Sequence, residues 1–508
     1  MFVFVVSALS ILFVSSRVLA YLSALKRVSY IPGLRCALAP LAFPGALFPT
    51  ASWNPGLTWP WAWRKDVSDY LMRTLAVGLP CIYTSSVEVA TQMFSPRPEI
   101  WKDPHAHEIL RLWGENVLST NHDMHRRHRR VTASAFNGSI YGLVVEETAA
   151  LYYEMMDGED WAAASSVSVT GINRYMSKFA LGIISRCGFG LPFPWIGSAK
   201  VDGMAFDEAL SLVAKSSVIR ISTPRWAYKL PIKKLKKIDK AYTILTEFIK
   251  QLIATKKEEL LMHGVDIARD RKDLFTKLVA ANDSENEKTR LNDDEIMGNV
   301  FTFMFAGDET TSSALTTSLA LLALHPEEQE RLVPHIREVI GEDRTPTLAQ
   351  VDALYQVLAC IQEAVRMFPS AALLPRDKTD TISLNMPDDE GNKQVVVEAG
   401  VRLVVDMIGI HYNPRLSERF DPTGWYGTKD SELRFFGWGH RVCLGRKFTM
   451  TEGVCFLSLL LRDWKVEPIL RGGETAGLWR ERVLQMGMRG MLFGVRDVPI
   501  KLIKRERE

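Results

Sequence analysis

The sequence has little net charge, few cysteines and no repeated segment. Its 62 lysine and arginine residues nearly balance 59 aspartate and glutamate residues, so the formal charge of +3 gives no sign of nucleic-acid binding. The six cysteines, at positions 36, 81, 187, 360, 443 and 455, lack the spacing of a disulfide framework, which favours reduced thiols and a cytosol-facing chain. The absence of internal repeats excludes a repeat array.

The sequence also lacks a Gly-x-Gly-x-x-Gly motif or any other flavin or nicotinamide signature. The sequence therefore gives no sign of a flavin or nicotinamide site of its own. The composition, with 47% apolar and 24% charged residues, is typical of a globular protein. Its 508 residues suffice for one large domain or for two or three ordinary ones.

The N-terminus is apolar. Phe2 to Ser16 are apolar or small, Arg17 interrupts the run, and Val18 to Leu25 continue it up to Lys26. The stretch reaches the roughly 20 residues that a bilayer helix needs if Arg17 snorkels or faces a partner. We therefore expect residues 1–25 to form a transmembrane anchor with the remainder facing the cytoplasm. A cleaved signal peptide is the alternative, although no clear small-x-small cleavage site follows the apolar run.

Prolines dominate the next segment. They stand at positions 32, 40, 44, 49, 55 and 60 and predict a stiff, extended hinge over residues 26–60. No break in composition follows, so we expect residues 61–508 to form one domain.

Local patterns predict a helix at Val67 to Val77, a strand at Leu79 to Thr84 and a helix at Val87 to Phe94. Helices should dominate the rest, with a β-rich patch near Ile382 to Val405. Residues Ile219 to Lys240 mix prolines, aromatic residues and lysines, and predict either a surface loop or a segment dipping into a membrane.

A long helix is predicted after Asn292. Asn292 is a good N-cap with Glu295 three residues later, and Ile296 to Leu324 contains no proline. About thirty residues at 1.5 Å each give a helix of roughly 45 Å. Its middle, Ala306-Gly307-Asp308-Glu309-Thr310-Thr311, combines small residues that admit a flat cofactor with a carboxylate and a hydroxyl suited to a proton relay.

The segment from Phe436 to Gly445 has a second unusual pattern. Cys443 precedes a predicted helix, whose backbone N–H groups and dipole would stabilise a thiolate. Gly437 and Gly439 permit a tight turn, Arg441 is a cation suited to a carboxylate, and Phe436 supplies an aromatic cover. This set matches the needs of a haem with an axial thiolate. Zinc and a plain buried cysteine are the alternatives, but no second Cys or His pair lies at ligand spacing.

The pattern Phe-x-x-Gly-x-Arg-x-Cys-x-Gly resembles the haem-binding loop of the cytochrome P-450 family of haem-thiolate monooxygenases. The resemblance implies a mainly α fold with a small β region, a long central helix over the haem and an N-terminal membrane anchor. It also implies haem b with Cys443 as the axial thiolate ligand. The loop residues that it places against the cofactor are Phe436, Gly439, Arg441, Cys443 and Gly445.

The long helix carries a second resemblance, to the family's oxygen-activation motif. It implies that Thr310 hydrogen-bonds dioxygen, that Glu309 feeds protons from solvent, and that Ala306 and Gly307 lie at the cofactor. Phe301, Phe305 and Ala306 should then line the distal pocket.

The basic run from His125 to Arg130 is by itself a solvated face. The resemblance adds roles: His125 and Arg129 reach a haem propionate, while Arg126, Arg127 and Arg130 point outward and receive an acidic redox partner.

Glu363-Ala-Val-Arg366 resembles the family's structural Glu-x-x-Arg pair, and Arg376 is implied as a second propionate ligand, with Ala371 to Leu374 facing substrate. The family's Pro-x-Arg segment is altered here, because Gly424 stands at the arginine position. Arg419 could replace that arginine, or the fold could do without it.

The resemblance implies insertion of one oxygen atom from dioxygen into a lipophilic small molecule. A terpenoid-like or other secondary metabolite is expected, since the sequence resembles fungal microsomal members. Electrons would come from an NADPH-dependent flavoprotein reductase at the endoplasmic reticulum membrane. The alternatives are a haem-thiolate isomerase or dehydratase without external oxygen, and a non-enzymatic haem-binding membrane protein.

Overall fold

The computed structural model describes most of the chain, namely residues 2–31, 33–38, 71–77, 80–95, 97–102, 108–197, 200–201, 203–263, 273–280, 290–342, 345–376, 378–388, 391–411, 419–428 and 432–506. The prolines of the predicted hinge lie outside these residues. The chain divides into two compact units. The first comprises Met1–Ala106, Ala371–Glu418 and Arg434–Val442, and the second comprises His107–Ser370, Arg419–Leu433 and Cys443–Glu508.

The first unit contains most of the β structure. Its helices are α1 (Phe2–Arg27), α2 (Val87–Met93) and α13 (Met407–His411). Its strands are β1 (Gly33–Leu38), β2 (Leu71–Val77), β3 (Cys81–Thr84), β4 (Ile100–Trp101), β8 (Leu373–Arg376), β9 (Lys378–Thr379), β10 (Ile382–Asp388), β11 (Gly391–Val397) and β12 (Arg402–Asp406). The predicted β-rich patch is thus confirmed.

A five-stranded sheet organises the first unit, in the order β1-β2-β3-β12-β8. Strand β12 runs parallel to β3, with Leu403 opposite Ile82, and antiparallel to β8, with Leu403 opposite Arg376. Leu403, Val404 and Val405 are fully buried, as expected for β-branched and aliphatic residues in a central strand. The strand prediction for Cys81 to Thr84 is confirmed.

The predicted helix at Val67 to Val77 is wrong over its described part. Residues Leu71–Val77 form β2, which pairs in parallel with β1 and antiparallel with β3. The segment Leu-Met-Arg-Thr-Leu-Ala-Val has a composition that suits either state, so pairing with neighbouring strands decides its conformation.

The second unit is mainly helical. Its helices are α3 (His122–Ala135), α4 (Gly138–Gly158), α5 (Asn173–Ile183), α6 (Phe206–Ser222), α7 (Lys233–His263), α8 (Leu274–Ala280), α9 (Asp293–Leu324), α10 (Pro326–Ile340), α11 (Leu348–Ala353), α12 (Tyr355–Met367), α14 (Arg446–Asp463) and α15 (Ala476–Val483). Its strands are β5 (Ser166–Val169), β6 (Lys200–Val201), β7 (Met204–Ala205), β13 (Trp464–Pro468), β14 (Met486–Met488), β15 (Phe493–Val495) and β16 (Ile500–Lys504). The predicted mainly helical fold with small sheets is therefore confirmed.

Helix α9 is the long helix that the sequence predicts. Its 32 residues span about 48 Å at 1.5 Å each. The capping box is present: the Asn292 side chain accepts the backbone N–H of Glu295, and the Glu295 carboxylate accepts the backbone N–H of Asn292. Helices α9, α12 and α14 meet at Gly453, where a Cβ would lie 3.0 Å from Ile361 and 3.7 Å from Leu315.

Residues 219–240 are mostly helical, so the predicted surface loop is wrong. Helix α6 continues to Ser222, a 3₁₀ turn covers Arg225–Lys229, and α7 begins at Lys233. Within this segment Trp226 is 65% exposed, and Leu230 and Ile232 are also exposed.

Helix α1 has the properties of a membrane span. Residues Phe4–Arg27 form a helix with a mean hydropathy of 1.9, and the apolar window is not buried against the rest of the chain. Its length and composition suffice to cross a bilayer.

Candidate active site

Cys443 lies between a 3₁₀ turn at Gly439–Arg441 and the N-terminus of α14. The sulfur accepts hydrogen bonds from the backbone N–H groups of Gly445 and Arg446, as the sequence predicts. Burial nevertheless raises the pKa of the thiol, because desolvation outweighs these donors and the nearby arginines. The side chain remains accessible although protein atoms crowd around it. An accessible sulfur in an enclosed position fits a cofactor iron, whose charge would stabilise the thiolate.

Arg129 faces this sulfur from α3. The thiolate of Cys443 favours the charged guanidinium, while burial lowers the pKa of Arg129. His125 lies one turn earlier on the same helix face and is buried. The structure therefore brings Arg129 and Cys443 together within the second unit, and an arginine beside the sulfur suits a cofactor that carries carboxylates.

The neighbouring arginines of α3 do not all point outward. Arg127 forms an ion pair with the buried carboxylate of Glu295 and donates to the Arg290 carbonyl at 3.3 Å. The prediction of an outward Arg127 is wrong, because Glu295, beyond its capping role, presents a buried charge that requires a partner. Arg126 and Arg130 are exposed, as predicted.

His128, which sequence reasoning missed, completes this contact between α3 and α9. It is fully buried, and its Nδ1 lies 2.9 Å from the Asn299 amide nitrogen. Burial lowers its pKa, so the imidazole is neutral at pH 7 despite the nearby Glu295 carboxylate.

The first unit holds the other loop residues. Gly437 and Gly439 have φ of +84° and +53°, conformations that glycine adopts readily, so the predicted tight turn is confirmed. The Phe436 ring contacts Phe435 with centroids 5.1 Å apart.

Arg376 is buried in the same unit, where its guanidinium lies over the Phe94 ring, 3.9 Å from the centroid. Phe94 also contacts Trp438 at 5.7 Å, so one aromatic ring joins β8 to the glycine-rich loop. Cation–π stacking of this kind holds a guanidinium in a fixed orientation.

Thr310 and Gly307, in the middle of α9, have different neighbours. The Thr310 hydroxyl donates to the Ala306 carbonyl at 2.6 Å, within the helix. A Cβ on Gly307 would lie 3.0 Å from Ile184, in a single π-helical turn (Ile184–Gly188) that follows α5. The missing side chain of Gly307 leaves room for Ile184, and its contact with a cofactor stays a prediction.

Glu309 is held by the β14–β15 hairpin. Its carboxylate accepts backbone N–H groups from Met491, at 3.3 Å, and from Leu492. Gly490, with φ of +122°, approaches so closely that a Cβ there would overlap the carboxylate. Burial, and secondly the charge of Asp308, raise the pKa of Glu309 to about 8. A carboxylic acid with this pKa is protonated at neutral pH and suited to proton transfer.

The aromatic residues before this motif belong to the core. Phe301 is 1% exposed and contacts Trp113 with ring centroids 4.1 Å apart. Phe305 is 5% exposed and stacks on Phe301. Both rings therefore pack in the interior, whereas Ala306 retains accessible surface, and their place along the distal pocket stays a prediction.

The Glu363–Arg366 pair is buried, as predicted, with Nε to Oε2 at 2.7 Å and Nη2 to Oε1 at 2.8 Å. Trp425 donates its indole N–H to Glu363 at 2.8 Å, and the backbone N–H of Asp421 donates at 3.2 Å. These two N–H groups replace the hydrogen bonds that an arginine at position 424 would donate to Glu363. Arg419 acts electrostatically on Glu327 and Asp421 instead.

Sequence reasoning missed Trp425 although it adjoins the altered position. The indole of the half-buried Trp425 is a donor with no acceptor function, so it favours an acceptor nearby. This need for an acceptor is the feature of the sequence from which the contact with Glu363 could have been predicted.

Comparisons with known proteins show which family and fold the chain is similar to. The cytochrome P450 family model matches residues 86–476. Cytochrome P450 monooxygenase 124 of Postia placenta is 31% identical over 427 residues, which cover 81% of each chain. Cytochrome P450 monooxygenase prx9 of Penicillium rubens is 25% identical, over 88% of this chain and 86% of its own. A zebrafish cytochrome P450 solved with progesterone superimposes with a TM-score of 0.65 at 19% identity, covering 85% of this chain and 95% of its own.

The fold and the position of the Cys443 thiol together define the class of protein, a haem-thiolate oxygenase. The chain belongs to the cytochrome P450 family. It is an oxidoreductase of the monooxygenase kind, and the family and fold imply a cysteine-ligated haem b. They also imply a reductase as redox partner, dioxygen and a lipophilic substrate.

Proposed function

We propose that this protein is a membrane-anchored monooxygenase that inserts one oxygen atom from dioxygen into a lipophilic secondary metabolite, of terpenoid-like or similar character. The observation that carries the proposal is the accessible, enclosed Cys443 thiol at the start of α14, with Arg129 beside it. The apolar character of the substrate agrees with the membrane-compatible helix α1 and with the steroid present in the zebrafish structure.

Each site residue has a proposed role. Bound haem supplies dioxygen activation and oxygen transfer to carbon. Cys443 would bind its iron, and the N–H groups of Gly445 and Arg446 would hold the sulfur in place. His125 and Arg129 in the second unit, and Arg376 and Arg441 in the first, are the proposed donors to haem carboxylates.

Glu309 and Thr310 are the proposed catalytic residues. Glu309 lies in a position to hold a proton, because burial favours its neutral form. Thr310 now bonds the Ala306 carbonyl, and rotation of its hydroxyl would free it to donate to dioxygen. Phe436 and Gly439 are proposed to shape the loop that precedes Cys443 in the chain.

Residues 1–25 are the proposed transmembrane anchor, 26–60 the hinge and 61–508 the catalytic domain. Cations follow the apolar helix, which supports a catalytic domain on the cytoplasmic side. We assign the protein to the endoplasmic reticulum membrane as a single-pass protein. Fractionation of cells expressing the tagged chain tests this, and recovery in the soluble fraction would refute it.

The exposed side chains of Trp226, Leu230 and Ile232, together with adjacent lysines, form a proposed membrane-contacting patch. A lipophilic substrate could enter from the bilayer there. Replacement of all three by serine should lower the binding of the chain lacking residues 1–25 to lipid vesicles. Unchanged vesicle binding would remove the patch from the proposal.

Electrons are proposed to come from a membrane-bound NADPH-dependent flavoprotein reductase. Arg126 and Arg130 are the proposed docking residues because both are exposed, whereas Arg127 is half-buried against Glu295.

The activity test is coexpression with such a reductase, feeding of candidate lipophilic metabolites, and identification of the products. A product that contains one atom of labelled dioxygen, formed with consumption of NADPH, supports the proposal. A rearranged product formed without either would identify an isomerase or dehydratase instead. The absence of any chemical change with a bound, reducible haem would favour a non-enzymatic role.

A further inference from the structure

A polar cavity of about 630 Å³ lies in the second unit, beside the acid–hydroxyl motif of α9. Its wall includes Ser177 of α5, Lys215 of α6, and both Asp308 and Glu309 of α9. The other charged side chains of the wall are Arg174, Lys178, Glu208, Arg489 and Asp497. A cavity of this size with polar walls can hold several water molecules.

Asp308 is an unusual residue for this place. It is 8% exposed, and the Ser177 hydroxyl donates to its Oδ1 at 2.9 Å. An asparagine would fill the same volume and accept the same hydrogen bond without an ionisable group. The carboxylate is therefore costlier than packing requires.

The charges around Asp308 do not offset the free-energy cost of burying its carboxylate. Glu309 on its own helix and Glu452 on α14 are both acids that interact with it unfavourably, while the exposed Lys215 is the cation that acts on it. Burial raises the pKa of Asp308 to about 7 and, together with Asp308, that of Glu309 to about 8. Both carboxyl groups thus change protonation near neutral pH.

We propose that Asp308, oriented by Ser177, is a second proton-holding residue that passes protons from water in the cavity to Glu309. The proposal rests on the monooxygenase function, which consumes two protons for each oxygen atom inserted. In each transfer the O–H bond of the Asp308 acid breaks and an O–H bond forms on the Glu309 carboxylate, directly or through one water. Cavity water then reprotonates Asp308, and no electrons move in either step.

The test compares the Asp308→Asn holoenzyme with wild type and with Asp294→Asn, which removes an exposed carboxylate from the same helix. Infrared difference spectra should show a protonated carboxylic acid in wild type that titrates near pH 7 and is missing in Asp308→Asn. Ser177→Ala should move this titration to higher pH, because the lost hydrogen bond stabilises the carboxylate.

Stability gives a readout that is independent of turnover. The folded-state pKa of Asp308 lies above its ordinary value of 3.8, so the folded chain loses stability as pH rises from about 4 to about 7. Asp308→Asn should therefore raise the Tm at about pH 9 and leave it unchanged at about pH 4.

The functional arm measures product formed per NADPH consumed, together with the solvent isotope effect on turnover. In Asp308→Asn we expect product per NADPH to fall by about tenfold, since positioned proton transfer contributes at least that much. Asp308→Glu should restore part of it. A missing infrared band in wild type would overturn the proposal, and so would unchanged product per NADPH in Asp308→Asn. Failure of wild type to oxygenate any substrate would instead refute the proposed function.

Discussion

Trp425 compensates for an arginine that the family pattern leads one to expect. Its indole N–H and the backbone N–H of Asp421 satisfy the buried Glu363 carboxylate, which also binds Arg366. A carboxylate at this depth needs several donors, because an unsatisfied buried charge is strongly destabilising. The substitution to Gly424 therefore leaves the network complete.

The Trp425 contact gives a first prediction. Trp425→Phe keeps the ring and removes the donor, which should lower the free energy of unfolding by about 1–3 kcal/mol. Chemical denaturation followed by fluorescence or haem absorbance measures this loss. Trp479→Phe is the control, since the fully buried Trp479 indole N–H has no hydrogen-bond partner among the described residues. Equal losses in the two variants would show that the Trp425 hydrogen bond contributes little.

Gly490 gives a second prediction. Any side chain there collides with the Glu309 carboxylate and is strained at φ of +122°, so Gly490→Ala should displace Glu309 from the hairpin N–H groups. We expect a severalfold fall in product per NADPH. Gly487→Ala on the same hairpin is the control, since a Cβ there meets its nearest atom at an ordinary 3.8 Å. Identical behaviour of the two variants would contradict a positioning role for Gly490.

Sequence alone predicted the residues whose chemistry is local. The N–H donors to Cys443 come from residues Gly445 and Arg446, and the capping box joins Asn292 to Glu295. The sequence could not predict the contact of Gly490 with Glu309 or that of Ile184 with Gly307, because these contacts depend on how separate elements pack.

At the level of elements, strong local patterns were reliable and ambiguous ones were not. Helix α9 has a cap, a long apolar run and a terminating proline, and its bounds followed from these. Strand β2 lacks clear periodicity, and pairing with β1 and β3 determines its state. Residues 219–240 carry prolines that interrupt the helices only at their junctions, so the loop prediction overestimated their effect.

The contact between α3 and α9 gives a third prediction. Arg127 pairs with the buried Glu295, which also caps α9, so Arg127→Met leaves a buried carboxylate without its cation. The free energy of unfolding should fall by about 1–3 kcal/mol. Arg126→Met removes only an exposed pair with Asp123, and we expect a change below about 1 kcal/mol. A larger loss for Arg126 than for Arg127 in chemical denaturation would contradict the assignment.

At the scale of the whole molecule, α3 presents two arginines at the surface of the second unit. Arg126 and Arg130 are exposed, and an acidic reductase surface would be attracted to them. Charge reversal of both should lower reductase-driven turnover severalfold, most strongly at low salt, while peroxide-driven turnover stays unchanged.

Reversal of Arg471, an exposed arginine elsewhere in the same unit, is the control for this experiment. Equal losses in the reductase-driven and peroxide-driven assays would show that Arg126 and Arg130 act on the fold or the site rather than on docking.

The central claim is that Cys443 binds haem iron as a thiolate, and the spectrum of the reduced protein with carbon monoxide tests it most directly. The purified, haem-loaded protein, reduced with dithionite and exposed to carbon monoxide, should show the red-shifted Soret band of thiolate ligation, and Cys443→Ala should lack it. Full haem loading without that band in the wild-type protein would contradict the account.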